Sequence, residues 1–200
     1  MLIDPHAENN NAVRVVGIDP GSTNMGFGVI EGDVIAGKVI SCSAITLNAN
    51  KIQCSELDER VHSARYARIF ALTEALHDLF VQTRPTLVAC ESPFMSRRRP
   101  MAYGALMETV YAVRIALRRY DSTIYLDLVD PPTAKIAVGA KGNADKDAVL
   151  KAVLSLEGGS VFSSFDEKRS GRAIGSLDEH SSDSLAIAYW RWKLFKEQNV

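Results

Sequence analysis

"VVGIDPGSTNMGFGVI", residues Val15 to Ile30, passes from a β-branched run through one acid, Asp19, into a cluster of glycines. Val13 to Asp19 reads as a fully buried strand. Phe27 to Glu31 and Val34 to Thr46 read as two more, joined through a turn at Gly32 and Asp33, so the chain opens with an antiparallel meander. From Arg60 to Phe80, the apolar positions Val61, Ile69, Leu72, Leu76 and Leu79 recur at helical spacing, and Pro85 follows the end. "TLVACE", Thr86 to Glu91, is a short buried strand, and Pro100 to Arg119 is a second helix. "TIYLDLVD", Thr123 to Asp130, is a further strand closed by Pro131 and Pro132. A helix from about Asp145 to Leu156 leads into "EGGSVFSSFDEKRSGRAIGS", whose Gly, Ser and charge content reads as a loop, and the chain closes with a helix from Glu179 to Phe195. This order predicts an α/β fold: a mixed five-stranded sheet, meander plus parallel strands, flanked by helices. Residues 1–12 read as a flexible tail and residues 13–200 as one domain, with a loop insertion at about 157–177.

Composition narrows the functions. A chain of 200 residues, 46% hydrophobic, suits one domain with a full core. A net charge of -1 excludes a globally basic nucleic-acid coat but leaves room for a local basic face. Between Arg84 and Lys146 ten basic residues face six acids, a net of +4, so positive charge is concentrated there. Three cysteines without a C-x-x-C pair argue against a disulfide framework or zinc knuckle and suit a reducing compartment. There is no basic and apolar leader and no run of about 18 uncharged apolar residues, so the expectation is a cytoplasmic chain without a signal peptide or membrane span.

Asp19 ends the first strand and Glu91 the fourth, and ligands in such sheets gather at strand ends. If the two strands are neighbours, the carboxylates repel, and a divalent cation held by hard oxygen donors relieves the repulsion. In "DEHSSDSLAIAYW", His180 and Asp183 are three residues apart on one helix face, while Leu185, Ile187 and Ala188 are placed to seat that helix on the sheet. Each residue also has an ordinary reading. Asp19 in Asp-Pro-Gly is a turn former, Glu91 before Ser-Pro a solvated strand end, and His180 a surface or capping histidine. Asp183 is an acid favoured by the helix dipole, although Asp178 and Glu179 fit that role better.

"GIDPGSTNMGFGVI", "ESPFMSRRRP" and "HSSDSLAIAYW" together resemble the three acidic motifs of the RuvC family of Holliday junction resolvases, members of the RNase H-like superfamily. The likeness runs in order from about Val13 to Trp192. It implies an RNase H-like nuclease whose metal site comprises Asp19, Glu91, His180 and Asp183, holding two Mg²⁺ ions with Mn²⁺ as a substitute. His180 departs from the commoner Asp at that position. The resemblance gives Phe94 a stacking role on distorted bases, Lys135 and Lys146 a place facing DNA, and Lys146 a catalytic part near the scissile phosphate. Arg97, Arg98 and Arg99 follow Glu91 and suit phosphate binding. From residue type alone Phe94 is equally a core residue, and the lysines and arginines are solvated charges.

The resemblance further implies a bacterial or phage-type endonuclease that cuts four-way or branched DNA by paired nicks, leaving 5′-phosphate and 3′-hydroxyl ends. It implies a homodimer, for which Pro100 to Arg119 with Met101, Ala105, Val110 and Ala112 is the candidate interface, and a branch-migration motor as a further partner. Three rivals stand beside it. An actin-like ATPase shares the Asp-x-Gly-Ser/Thr opening but needs two copies of the fold. A related RNase H-like nuclease would cut RNA/DNA hybrids or other branched DNA. A junction-binding protein without catalysis would have no use for Asp19, Glu91 and Asp183.

Overall fold

Glycine alternates with large apolar residues over Met25 to Val29 and recurs at Gly17 opposite Gly28, and this placement decides which helix each sheet face can accept. The computed structural model describes residues 11–95, 102–156, 162–164 and 177–199. β1 (Ala12–Asp19), β2 (Asn24–Asp33) and β3 (Lys38–Asn48) form the expected meander. α1 (Glu56–Val61) and α2 (Ala64–Thr83) lead to β4 (Leu87–Glu91), α3 (Ala102–Tyr120) to β5 (Leu126–Val129). α4 (Pro131–Ala137), α5 (Lys146–Leu154), a short β6 (Phe162–Ser164) and α6 (Glu179–Gln198) complete the order. The strands lie as β5-β4-β1-β2-β3-β6, with β4 parallel to β1, β5 parallel to β4 and β6 parallel to β3. The mixed sheet predicted from the sequence is present, and β6 adds a sixth strand at its edge.

Strand parity sorts the two faces. Val16, Ile18, Phe27, Val29, Val88 and Cys90 point to one side and pack on Leu72, Leu76, Phe80, Val110, Val113 and Leu117 of α2 and α3. Val15 and Ile30 point to the other, against Leu185, Ala188 and Trp192 of α6 and Val149 and Val153 of α5. Gly17, Gly26 and Gly28 share that second face and make it a trough. A Cβ at Gly17 would lie 2.1 Å from the Ser184 carbonyl oxygen, one at Gly26 2.0 Å from that of His180, and one at Gly28 2.8 Å from the Leu185 nitrogen. Hydrogen in place of a side chain therefore lets α6 rest with its backbone against the sheet.

Several boundaries differ from the sequence reading, each for a local reason. The β2–β3 turn falls after Asp33 rather than on Gly32 and Asp33. The Asp33 carboxylate accepts the N–H groups of Ile35 and Ala36 at 2.8 and 2.9 Å, and Gly37 adopts a φ of 65°. The single helix expected over Arg60–Phe80 is two, because Ser63 takes a φ of 133° and caps the second by accepting the Tyr66 N–H. Pro131 and Pro132 end β5 and also open α4, where Asp130 is the N-cap and a fixed φ suits the first turn. β1 begins at Ala12, inside the expected tail, while residues 1–10 lie outside the described residues. β6 falls within the expected loop at 157–177, most of which also lies outside them.

Candidate active site

Ile18 lies opposite Cys90 in the parallel β1–β4 pair. One residue further, the two strands end in Asp19 and Glu91, neighbours across a strand spacing of about 4.8 Å. Both share the glycine face: Asp19 has the parity of Gly17, and Glu91 that of Ala89, which packs on Ile187 of α6. The helix arrives over them from its N-terminal end. Asp178 caps it, accepting the Ser181 N–H at 2.8 Å, as its place before the apolar run indicated. Leu185, Ile187 and Ala188 are buried and seat the helix.

That seating aims His180 at Asp19, and Nδ1 donates to Oδ2 across 2.6 Å. The hydrogen bond to Asp19 holds the imidazole above its ordinary value, against the opposing effect of burial. Glu91 is pushed up to about 8 by burial, then by the charges of Asp19 and Asp183; Lys135 opposes the shift and Asp130 adds to it. Asp183 is pushed up to about 6 by burial and by Asp19, with Lys135, His180 and Lys146 opposing. No side-chain hydrogen bond among the described residues offsets either shift. Among the described residues no three His, Cys, Asp or Glu side chains close into a ready-made metal cage. The arrangement is three carboxylates and an imidazole around one strand end, with unbalanced negative charge and hard donor atoms. Those donors fit a divalent cation.

The basic residues divide into three groups. Lys135, at the end of α4, is half-buried and donates to the Ala144 carbonyl at 2.9 Å, close enough to Glu91 and Asp183 to lower both. Lys146 begins α5 with its side chain 70% exposed and is ion-paired with Glu179. Arg97, Arg98 and Arg99 lie outside the described residues. Phe94 follows β4 and is 50% exposed, so it is not a core residue.

Beside His180 an open cleft is lined by Asn24, Lys146, Leu150, Glu179 and Ser182. Sequence reading missed Asn24, Thr46 and Ser181. Asn24 accepts from the Asn48 amide at 2.9 Å, and the Thr46 hydroxyl donates to Asp178 at 2.6 Å. Asn24 and Thr46 are placed by strand register and Ser181 by the seating of α6 on the sheet, which no local pattern reports. α3 turns Val110 and Ala112 into the core, so two of the four expected interface residues are buried within this chain; Met101 lies outside the described residues. The exposed stripe on α3 is Met107, Tyr111 and Ile115. No helix among the described residues is long and apolar enough to cross a membrane.

Comparison with known proteins bears on the family and the fold. The family model described as "Crossover junction endodeoxyribonuclease RuvC" matches residues 15–158. The protein of that name from Cutibacterium acnes is 31% identical over 150 residues, covering 74% of this chain and 69% of its own. That from Christiangramia forsetii is 27% identical over 190 residues, covering 92% and 90%. Among solved structures, Thermus thermophilus RuvC superposes with a TM-score of 0.61 at 20% identity, over 94% of this chain and 97% of that one, which shows the shared fold. By fold and by sequence, the chain belongs to the RuvC family of crossover junction endodeoxyribonucleases.

Proposed function

We propose that this chain resolves Holliday junctions as a structure-specific endonuclease, nicking two strands near the crossover through a metal site built from Asp19, Glu91, His180 and Asp183. The observation that carries this reading is the placement of Asp19 and Glu91 side by side at strand ends, with His180 and Asp183 brought over them by α6. The T. thermophilus RuvC of the same fold has been solved in complex with a Holliday junction substrate.

Asp19 lies beside Glu91 at the strand ends and accepts from His180, so it would be one of the residues that hold the metal. Glu91 and Asp183 complete the oxygen donors, and His180 orients the Asp19 carboxylate. Two Mg²⁺ ions, or Mn²⁺ in their place, suit this donor set; when bound they supply activation of a water and neutralisation of the leaving 3′-oxygen. Lys146 swings from Glu179 to a phosphate oxygen when DNA enters the cleft, and Lys135 tempers the charge on Glu91 and Asp183. Phe94, exposed at the same strand end, stacks on a base unpaired at the crossover. Arg97, Arg98 and Arg99 neutralise backbone phosphates. In-line hydrolysis leaves a 5′-phosphate and a 3′-hydroxyl.

Paired nicks require two sites related by a two-fold axis, which a homodimer supplies. The exposed stripe Met107, Tyr111 and Ile115 on α3 is the surface for it. The test places wild type and Asp19→Asn on a labelled four-way junction, a Y-fork, linear duplex and an RNA/DNA hybrid, with and without Mg²⁺ or Mn²⁺. Paired, metal-dependent nicks in the junction that vanish in the variant while binding persists are the expected result. Preferred cutting of the fork or hybrid moves the substrate to another branched or hybrid nucleic acid, and binding without any cutting removes the catalytic reading.

A further inference from the structure

We propose that Thr46 is a positioning residue for cleavage, fixing the first turn of α6 across the sheet through its hydroxyl contacts with Asp178 and Ser181. The proposal rests on the reading that His180 and Asp183 belong to the metal site.

Asp19 pairs directly with Gly26, and Gly26 directly with Thr46. The three residues therefore form one row across β1, β2 and β3, all on the face that α6 covers, with Thr46 about 10 Å from Asp19 by two strand spacings. The first turn of α6 straddles this row. Its middle rests on the bare backbone of Gly26, where the His180 carbonyl occupies the space of a missing side chain. On one side His180 reaches back to Asp19. On the other, Asp178 and Ser181 reach Thr46.

The hydrogen bonds at Thr46 have one consistent direction. The Thr46 hydroxyl donates to Asp178 Oδ1 at 2.6 Å, because an ionised carboxylate only accepts. The Thr46 oxygen is then free to accept, so the Ser181 hydroxyl, 2.9 Å away, donates to it. The Ser181 N–H donates to the same Asp178 oxygen at 2.8 Å and closes a ring of three bonds. Capping alone needs only that last bond. The two bonds through Thr46 tie the cap to a strand, and so fix the rotation of the helix about its axis rather than its existence. The second half of α6 is held separately, by the Arg191–Asp127 ion pair and by Trp192 seated over Gly32. With the helix held at its first turn and again beyond its middle, His180 and Asp183 have one placement over Asp19. Placement matters because a shift of about 1 Å at a reacting group costs about a hundredfold in rate.

Thr46→Val keeps shape and removes the hydroxyl; Thr46→Ser keeps the hydroxyl and removes the methyl. Three quantities separate positioning from folding: single-turnover nicking of a labelled four-way junction against Mg²⁺ concentration, junction binding in Ca²⁺, and Tm. Thr46→Val should nick about 10- to 100-fold more slowly, with a higher Mg²⁺ midpoint and unchanged junction affinity, and Thr46→Ser should restore both rate and midpoint. Ser181→Ala, which removes one arm of the ring, should give the same pattern and carries the test if Thr46→Val melts below the assay temperature. The proposal is overturned if both hydroxyl-deleting variants nick with the wild-type rate and midpoint. It is also overturned if Thr46→Ser is as slow as Thr46→Val, since the methyl packing then matters, or if weaker junction binding accounts for the whole loss. His180→Ala and Asp183→Asn run alongside. Wild-type nicking by these two overturns the site reading and the proposal with it; slowed nicking in both beside a wild-type Thr46→Val removes the positioning role alone.

Discussion

His180 Nδ1 and Asp19 Oδ2 meet at 2.6 Å, joining a helix and a strand whose residues are 161 positions apart in the chain. The contact orients a carboxylate that would otherwise face Glu91 and Asp183 with only charge to direct it. His180→Ala should therefore slow junction nicking by about 10- to 100-fold. His180→Asp adds a hard oxygen donor and a negative charge to the cluster and should lower the Mg²⁺ concentration needed for half-maximal rate. Metal titrations of both variants check this, and an unchanged midpoint in each would remove His180 from the site.

Stability of the metal-free protein should fall as pH rises. Glu91 is raised from 4.5 to about 8 and Asp183 from 3.8 to about 6, and His180 is raised as well, so folding increases the proton affinity of all three. Where the folded state binds more protons than the unfolded state, each step up in pH favours unfolding. The contribution is present near pH 4 and is lost as pH passes through the folded values. Tm measured in EDTA should decline between about pH 5 and about pH 8, and Mg²⁺ should restore it most at the upper end. A Tm that rises over that range, or Mg²⁺ without effect at its upper end, contradicts the assignment.

Gly26→Ala should damage both folding and cleavage. The added Cβ would lie 2.0 Å from the His180 carbonyl oxygen, which is backbone and cannot turn aside. Lifting α6 to make room costs about 1–3 kcal/mol and carries His180 away from Asp19. Thermal melts and nicking rates should fall together; a variant of wild-type stability would mean the helix does not rest on the sheet as described.

Phe94 is half exposed, so Phe94→Ala should leave Tm nearly unchanged. A lost base stack removes about 1–3 kcal/mol of interaction with distorted DNA. The loss should appear on junctions and be smaller on linear duplex, which offers no unstacked base. Equal losses on both would make Phe94 a general contact.

Tyr111→Glu places a charge at the centre of the exposed stripe on α3, where the side chain is 66% exposed. The variant should remain folded, sediment as a monomer and make unpaired nicks. A dimer that survives this change uses another surface.

Most of the fold was legible because its signals are local. Short runs of β-branched and other apolar residues marked β1, β2 and β4, and Asp178 before an apolar run marked the start of α6. Asp19 and Glu91 stood out as candidates because each ends a strand, and Asp183 because it lies one turn into α6. What could not be read was set by partners distant in sequence. The trough of Gly17, Gly26 and Gly28 is meaningful only once α6 lies in it, and Thr46 looks like any strand threonine until the register aligns it with Asp19. The break at Ser63 was hidden because Val61 fits the helical pattern yet is solvent-facing, and α4 because two prolines mark a strand's end as readily as a helix's beginning.

The glycine trough also separates two kinds of variation. Where α6 crosses Gly17, Gly26 and Gly28, backbone lies against backbone, so its spacing from the sheet is set there by backbone contact rather than by side-chain volume. The opposite face is an ordinary packed core, in which Leu, Phe and Val from α2 and α3 set the fit. Substitutions there can alter how firmly the protein holds together while leaving the helix bearing untouched. Repacking that half of the interior therefore changes stability without changing the spacing of Asp19, His180 and Asp183 in the other half.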